Sequence, residues 1–565
     1  MRFLKDFYPL KALFVKNEAI SIRIELQNPT SFPVELKAEI HVMHLEDTVR
    51  SQTLAISLDA AQNRNVDLSL PLEEYATGGF GAELTLYSEE KTETAWTAFD
   101  RTDCPEKTAR YGFLCGFGPD EPLDDNDVKN LLKYHINLVQ YYDWVYRHDD
   151  YLSGQKTYQD MMGKTISLDV LRRKIAACHK RGMQAIAYGA VYAASARYFE
   201  QHPDQALYNG TGEPIRFIDV FYIMNASRES GWHDHIIGEY EKAISVLGFD
   251  GIHMDTYGFP KSGLSKADGT LKESNLRNVL PQLITDTRMQ LEKKKAGCRL
   301  IFNNVCNWPV EATAKAEVDV VYIEVWEPYE RYTHLQQLIA WAKQFGQGKP
   351  VVLAAYLKPF MENGKEQEAE NAALLLTATI AANGAYHLLL GEENGVLTQG
   401  YYPDHSILRT AFVDRMRSYY DFIVRYSELL IDDSLYDASM THMGGDNREY
   451  CFETDGDKIV PYAQPDTVWA VIKQSKSRNL VHFINLTNNS EDFWNKGKKM
   501  PAMQQNIKIR AEILKEPIKV YAISPDFEHC RPLILDFAII SDDRGKSIET
   551  TLPTLSFWAA VIMEF

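Results

Sequence analysis

The chain has 565 residues, too many for one domain and enough for two or three separate cores. Hydrophobic residues at 45% and charged residues at 24% are the proportions of a folded globular protein. The formal charge of −18, with no basic run interleaved with aromatics, repels phosphate backbones and excludes nucleic acid as a partner.

The first 14 residues lack a continuous apolar stretch, because Lys5, Asp6 and Lys11 interrupt it. No window approaches ~18 uninterrupted apolar residues, so no membrane partner is expected. The expected location is the cytoplasm if Met1 is the natural start, and outside the cell if a signal peptide precedes it. Residues 1–105 read as an immunoglobulin-like β-sandwich. Runs at 19–28, 33–45 and 80–88 alternate apolar with polar at period two, separated by Asn, Pro and Gly turns.

From about residue 109 strands alternate with amphipathic helices, the pattern of a parallel βα array. Eight strands are predicted, at 111–118, 136–144, 182–192, 248–255, 298–305, 318–326, 349–357 and 385–392. A (β/α)₈ TIM barrel over 106–432 is the resulting expectation, with its longest insertion at 193–247. A doubly wound open sheet is the competing architecture, but Gly116-Phe117-Gly118-Pro119 is not its Gly-rich phosphate turn. Beyond 433 the helical period vanishes, and runs at 467–475, 479–487, 507–513, 518–524 and 555–565 predict a C-terminal antiparallel β-sandwich.

The chemistry concentrates at two strand ends. GFDGIHMDTYG (248–258) is an apolar strand that stops on Asp255, and VDVVYIEVW (318–326) delivers Glu324. Polar groups are costly at the end of a buried strand, and in a barrel that end is the active-site face. Two carboxylates on the mouths of strands four and six are what glycoside hydrolysis requires. Asp255 as the partner of a nearby arginine, or as a helix cap, is the competing reading.

Other residues are candidates for sugar contact: Gln140, Asp143 and Trp144 at the second strand end, Tyr188 at the third, and His253 and Tyr257 around Asp255. Asn303 on the fifth, Trp326 after the sixth, Tyr356 on the seventh and His387 and Glu392 on the eighth complete the set. Each has a plainer alternative: an Asp143–Arg147 pair with Trp144 as core, Asn303 as a packing amide, His253 as a satisfied interior histidine, Glu392 as a turn acid. The seven cysteines are scattered, none in a CxxC spacing, and no HExxH occurs, so neither metal nor other cofactor is expected.

Four stretches, INLVQYYDWVYRH (136–148), GFDGIHMDTYG, VVYIEVWEPY (320–329) and PVVLAAYLKPF (350–360), together resemble glycoside hydrolase family 66. That family holds endo-dextranases and cycloisomaltooligosaccharide glucanotransferases. The resemblance extends over nearly the whole chain and implies a retaining double displacement on α-1,6-glucan. Asp255 matches the family's nucleophile and Glu324 its general acid/base, so Asp255 is expected to be held ionised and Glu324 protonated.

Cyclising members usually carry a carbohydrate-binding insertion within the catalytic region. Here one helix, 366–382, fills the stretch before the eighth strand, so hydrolysis is expected over cyclisation. Short α-1,6 chains are the expected substrate of a cytoplasmic enzyme. Cleavage of another α-glycoside and non-catalytic glucan binding are the alternatives outside this reading.

Overall fold

The computed structural model describes residues 2–72, 77–89, 91–454 and 456–565. Near the N-terminus a three-stranded sheet (Leu4–Pro9, Ile20–Gln27, Asn63–Leu70) faces a five-stranded one that includes Val34–His44, Gly78–Tyr87 and Thr92–Thr102. Alternation does what the sequence requires: Ile20, Ile22, Ile24 and Leu26 point inward, with Leu36, Leu84 and Phe99 in the same core.

The centre is an eight-stranded parallel barrel: β1 (Tyr111–Leu114), β2 (Leu138–Tyr141), β3 (Gln184–Ala190), β4 (Gly251–Asp255), β5 (Arg299–Val305), β6 (Val320–Glu324), β7 (Val351–Ala354) and β8 (Tyr386–Leu388). Each strand pairs with the next, and a parallel bridge between Phe113 and Gly391 brings the two ends together. At Gly391 a Cβ would stand 2.2 Å from the Phe113 ring, so this contact requires glycine. The eight strands expected from the sequence are all present, and the open sheet is not.

Helices α1 (Asn126–Lys133), α2 (Leu168–Lys180), α3 (Gly231–Lys242), α4 (Leu276–Leu291), α5 (Val310–Thr313), α6 (Tyr332–Gly346), α7 (Glu366–Ala382) and α8 (Thr410–Arg425) accompany the strands. Start signals are local: Ser167 caps α2 by accepting from the Val170 N–H, and Asn275 caps α4 through the Arg277 N–H. Helix α7 is buried on every face from Ala369 to Ala382, and packs both on its neighbour α6 and on the C-terminal strand Arg478–Asn485. A helix covered on both sides reads as apolar all round, and this one does from Ala372 to Ala382 apart from Thr377 and Thr379.

Helix α8 joins the N-terminal sheets to the barrel. Its Asp421 accepts from Thr97 Oγ1 at 2.9 Å, the Ala98 N–H at 2.8 Å and His135 Nε2 at 2.7 Å. Beside it the buried Arg110 guanidinium holds Asp100 bidentately at 2.6 and 3.0 Å and reaches the Ala12 carbonyl. At the C-terminal end two antiparallel-rich sheets, one built around Val468–Gln474, Arg478–Asn485 and Trp558–Glu564 and the other around Gln504–Ile513 and Gly545–Leu555, share a core. Among the described residues no helix is long and apolar enough to cross a membrane.

Candidate active site

Parity along the strands decides what reaches the barrel mouth. Inward positions are Ile186 and Tyr188 on β3, Gly251, His253 and Asp255 on β4, Ile301 and Asn303 on β5, and Val320, Tyr322 and Glu324 on β6. Both carboxylates therefore rise from the ends of their strands into one cavity of about 590 Å³, within the ~300–1,000 Å³ of small-ligand clefts.

Between them stands Asn303, on the intervening strand. Its Nδ2 donates to Asp255 Oδ1 at 2.7 Å and to Glu324 Oε2 at 2.9 Å. The two bonds laid end to end cap the separation of those oxygens at about 5.6 Å, with ~5–5.5 Å between carboxyl groups being the retaining arrangement. The amide orientation follows from chemistry: turned over, its oxygen would face two carboxylates, so Oδ1 is left buried without a partner.

Each acid has a second donor. Tyr188 Oη bonds Asp255 Oδ2 at 2.7 Å, and Tyr356 Oη bonds Glu324 Oε1 at 2.8 Å. Burial and the nearby carboxylates push both phenols well above the ordinary tyrosine range, so they stay protonated donors. Burial likewise raises both carboxyls. For Asp255 the charge of Glu324 adds to burial, and the Asn303 and Tyr188 bonds oppose it. For Glu324 burial is opposed by Asn303, Tyr356 and Trp326. The expectation of an Asp255 held low is thus corrected: the pair together binds protons more tightly than two free carboxylates.

Of the other candidates, Asp143, Tyr257 and Trp326 line the cavity with Tyr188. Asp143 has a left-handed φ of +47°, accepts no bond from Arg147, and has His148 Nε2 3.9 Å away. Burial pushes its carboxyl up to about 6 and the His148 ring down to about 4. Trp326 stands edge-on to the Tyr356 ring at 5.4 Å. A Cβ at Gly400 would come 3.2 Å from the Trp326 ring and 3.3 Å from Glu324 Oε1, so a larger residue there would crowd both side chains.

Five candidates neither line the cavity nor bond either acid. Trp144 is fully buried, gives its indole N–H to the Tyr188 carbonyl and packs on Phe249, because the left-handed turn at Asp143 swings it into the core. Gln140 lies deep in the barrel, with Oε1 unpartnered. His253 sits one layer below Asp255, bonded to Tyr111 Oη at 2.9 Å, and burial pushes it down to about 3, so it is neutral. His387 has the outward parity between the inward Tyr386 and Leu388, and its Nε2 meets the Ala355 carbonyl at 3.0 Å.

Glu392 turns back beneath the end of β1, where it accepts from the Cys115 and Gly116 N–H groups, each at 3.1 Å. Cys115, Glu392 and His405 form the one trio of possible metal ligands found among the described residues. That trio also holds the Lys174 ammonium 3.9 Å from Glu392, and His405 Nδ1 lies 3.0 Å from the Tyr402 carbonyl, so the cluster's charges and hydrogen bonds are supplied internally.

The cavity also has walls that the sequence reading did not assign: Tyr142, His148, Phe217, Ile218, Phe221 and Tyr401. Phe217 and Phe221 come from a hairpin in the long insertion, and Phe217 stacks on Tyr257 at 4.1 Å. Their signal was the aromatic spacing within 217–222, but no strand pattern there is long enough to say which way the rings face.

A sequence model of glycosyl hydrolase family 66 matches residues 10–562. The chain belongs to glycosyl hydrolase family 66. It is similar to a cycloisomaltooligosaccharide glucanotransferase of Niallia circulans, 23% identical over 98% of this chain and 71% of the relative. It is similar also to a dextranase of Streptococcus salivarius, 22% identical over 93% of this chain and 72% of that one. The crystal structure of a Paenibacillus sp. cycloisomaltooligosaccharide glucanotransferase complexed with cycloisomaltoheptaose superposes with a TM-score of 0.88 at 21% identity, covering 99% of each chain, and shares this fold.

Proposed function

We propose that this family 66 protein is a retaining glycoside hydrolase that cleaves α-1,6-glucosidic bonds of dextran or isomaltooligosaccharides. The observation that carries the reading is the Asn303 amide bonded to both Asp255 and Glu324, which fits a nucleophile and an acid/base set one sugar apart. The relatives named for cycloisomaltooligosaccharide and dextran chemistry support the choice of linkage.

In this reading Asp255 attacks the anomeric carbon while Glu324 protonates the departing glycosidic oxygen. The pair enters with one proton, since burial and mutual repulsion disfavour two charges. Asn303 and Tyr188 hold the Asp255 oxygens for attack, and Tyr356 aims the Glu324 carboxyl. That step spends the pair's one proton on the leaving group, so Glu324 is left ionised beside an Asp255 whose charge is gone in the ester. It then takes a proton from the incoming water, whose oxygen bonds the anomeric carbon and releases Asp255 as the carboxylate. The aromatic walls supply faces for stacking sugar rings.

A second reading, transfer of the glycosyl group to the chain's own end, is favoured by the names of the relatives. Hydrolysis is preferred because the segment between β7 and β8 contains only a short turn, Lys358–Met361, and helix α7, buried from Ala369 onward. Product analysis on isomaltooligosaccharides separates them: linear products support hydrolysis, cyclic ones the alternative. Asp255→Gly with added azide tests the role of Asp255, with recovered turnover and a glycosyl azide expected. No turnover on α-1,6 glucans, beside cleavage of α-1,4 or α-1,3 glucans, would overturn the linkage.

A further inference from the structure

The hairpin formed by Arg216–Phe217 and Phe221–Ile223 turns through Ile218 and Asp219. Both have left-handed backbones, φ +45° and +57°, and the Val220 N–H closes the turn on the Phe217 carbonyl at 3.2 Å. This is the pattern of a type I′ turn, for which Asn-Gly is the favoured pair. A β-branched residue at its first central position is a conformational outlier, since its Cβ crowds its own carbonyl.

Folding covers only part of Ile218. The residue is 53% exposed, and it lines the same cavity as Asp255 and Glu324. The turn is braced from below instead: Arg216 donates to the Asp219 carbonyl and its guanidinium lies over the Tyr222 ring at 5.1 Å. Phe217 anchors the hairpin on Tyr257, which follows Asp255 by two residues. A held, strained, solvent-facing apolar side chain at the rim of a sugar-sized cleft points to contact with ligand.

We infer that Ile218 is a specificity-determining residue, an apolar platform for the face of a glucose ring beyond those gripped by the catalytic pair. The inference rests on the α-1,6-glucan reading. It makes the hairpin tip a selector for chain length: short substrates that end before the rim do not touch it, and longer ones do.

The test compares wild type with Ile218→Gly and Ile218→Asn on isomaltotriose through isomaltohexaose, with thermal melts of all three. Gly and Asn both accept a left-handed backbone, so the melting temperature holds or rises. The expected kinetic result is kcat/KM on the longest substrates lowered about five- to tenfold, through KM, with the shortest within about twofold. Equal rates at every length, or an equal loss at every length, overturn the inference and leave the linkage reading untouched. A wild type inert on all lengths overturns the linkage reading, and this inference with it. Variants that melt lower than wild type also count against it, because they would show that Ile218 serves the fold.

Discussion

Tyr356 reaches from the end of β7 to place its hydroxyl 2.8 Å from Glu324 Oε1, as Tyr188 on the far side does for Asp255 at 2.7 Å. Each phenol stabilises the ionised form of one acid alone. Tyr356→Phe should therefore raise the pKa of Glu324 and carry the alkaline limb of the kcat/KM profile upward. Tyr188→Phe should carry the acidic limb upward by the same logic. A loss of ten- to hundredfold in kcat/KM accompanies each, the worth of one hydrogen bond to a charged group at about 1.5–3 kcal/mol. Both limbs moving equally in both variants would show that the roles of the two acids are not separate.

Asn303 serves the two acids at once. Asn303→Ala removes a donor from each, so both limbs are expected to shift upward together, with kcat reduced about a hundredfold or more. Asn303→Asp is worse, because it puts a third carboxylate between two that already repel. Its check is the same pH series beside a melt, and an Asp variant as active as the Ala one would sink this account of Asn303.

The sequence was informative wherever side-chain direction follows from strand parity alone. Asp255, Glu324, Asn303 and Tyr188 are inward by counting in twos from the buried members of their strands. Parity failed where the backbone leaves the extended region. The left-handed φ at Asp143 sends Tyr142 and Asp143 to the cavity and Trp144 to the core, and nothing in the residue types announces that turn. Past β8 the left-handed Glu393 and Asn394 turn Glu392 back under β1. His387 was misread because β8 is only three residues long, too short for a period to show. The hairpin bearing Phe217 and Phe221 is set by side-chain stacking on Tyr257, a contact between segments that a linear pattern does not carry.

Those corrections have their own test in Glu392. It accepts two backbone N–H groups at the end of β1, so Glu392→Ala leaves buried donors unpaired and is expected to cost about 2–4 kcal/mol of stability. KM for α-1,6 substrates should stay within about twofold, because Glu392 does not line the cavity. A large rise in KM with an unchanged melting curve would restore it to the substrate.

The acids also set a pH dependence of stability. Asp255 and Glu324 both have folded pKa values above those of free carboxylates, near 4. The native state therefore holds protons that the unfolded chain has released, and the stability this supplies is present below about pH 4 and lost as pH rises through the folded values. At pH 8 the site confines two like charges whose oxygens share one amide. Asp255→Asn or Glu324→Gln removes one charge at constant size, so each variant should melt higher than wild type at pH 8, by a few degrees. At pH 4 the advantage should shrink toward zero, since wild type is then largely protonated at the same place. Thermal melts from pH 4 to 9 read this directly: variants that are less stable than wild type at every pH would mean that the carboxylates are held by attraction, and the repulsive pair inferred from the site would be wrong.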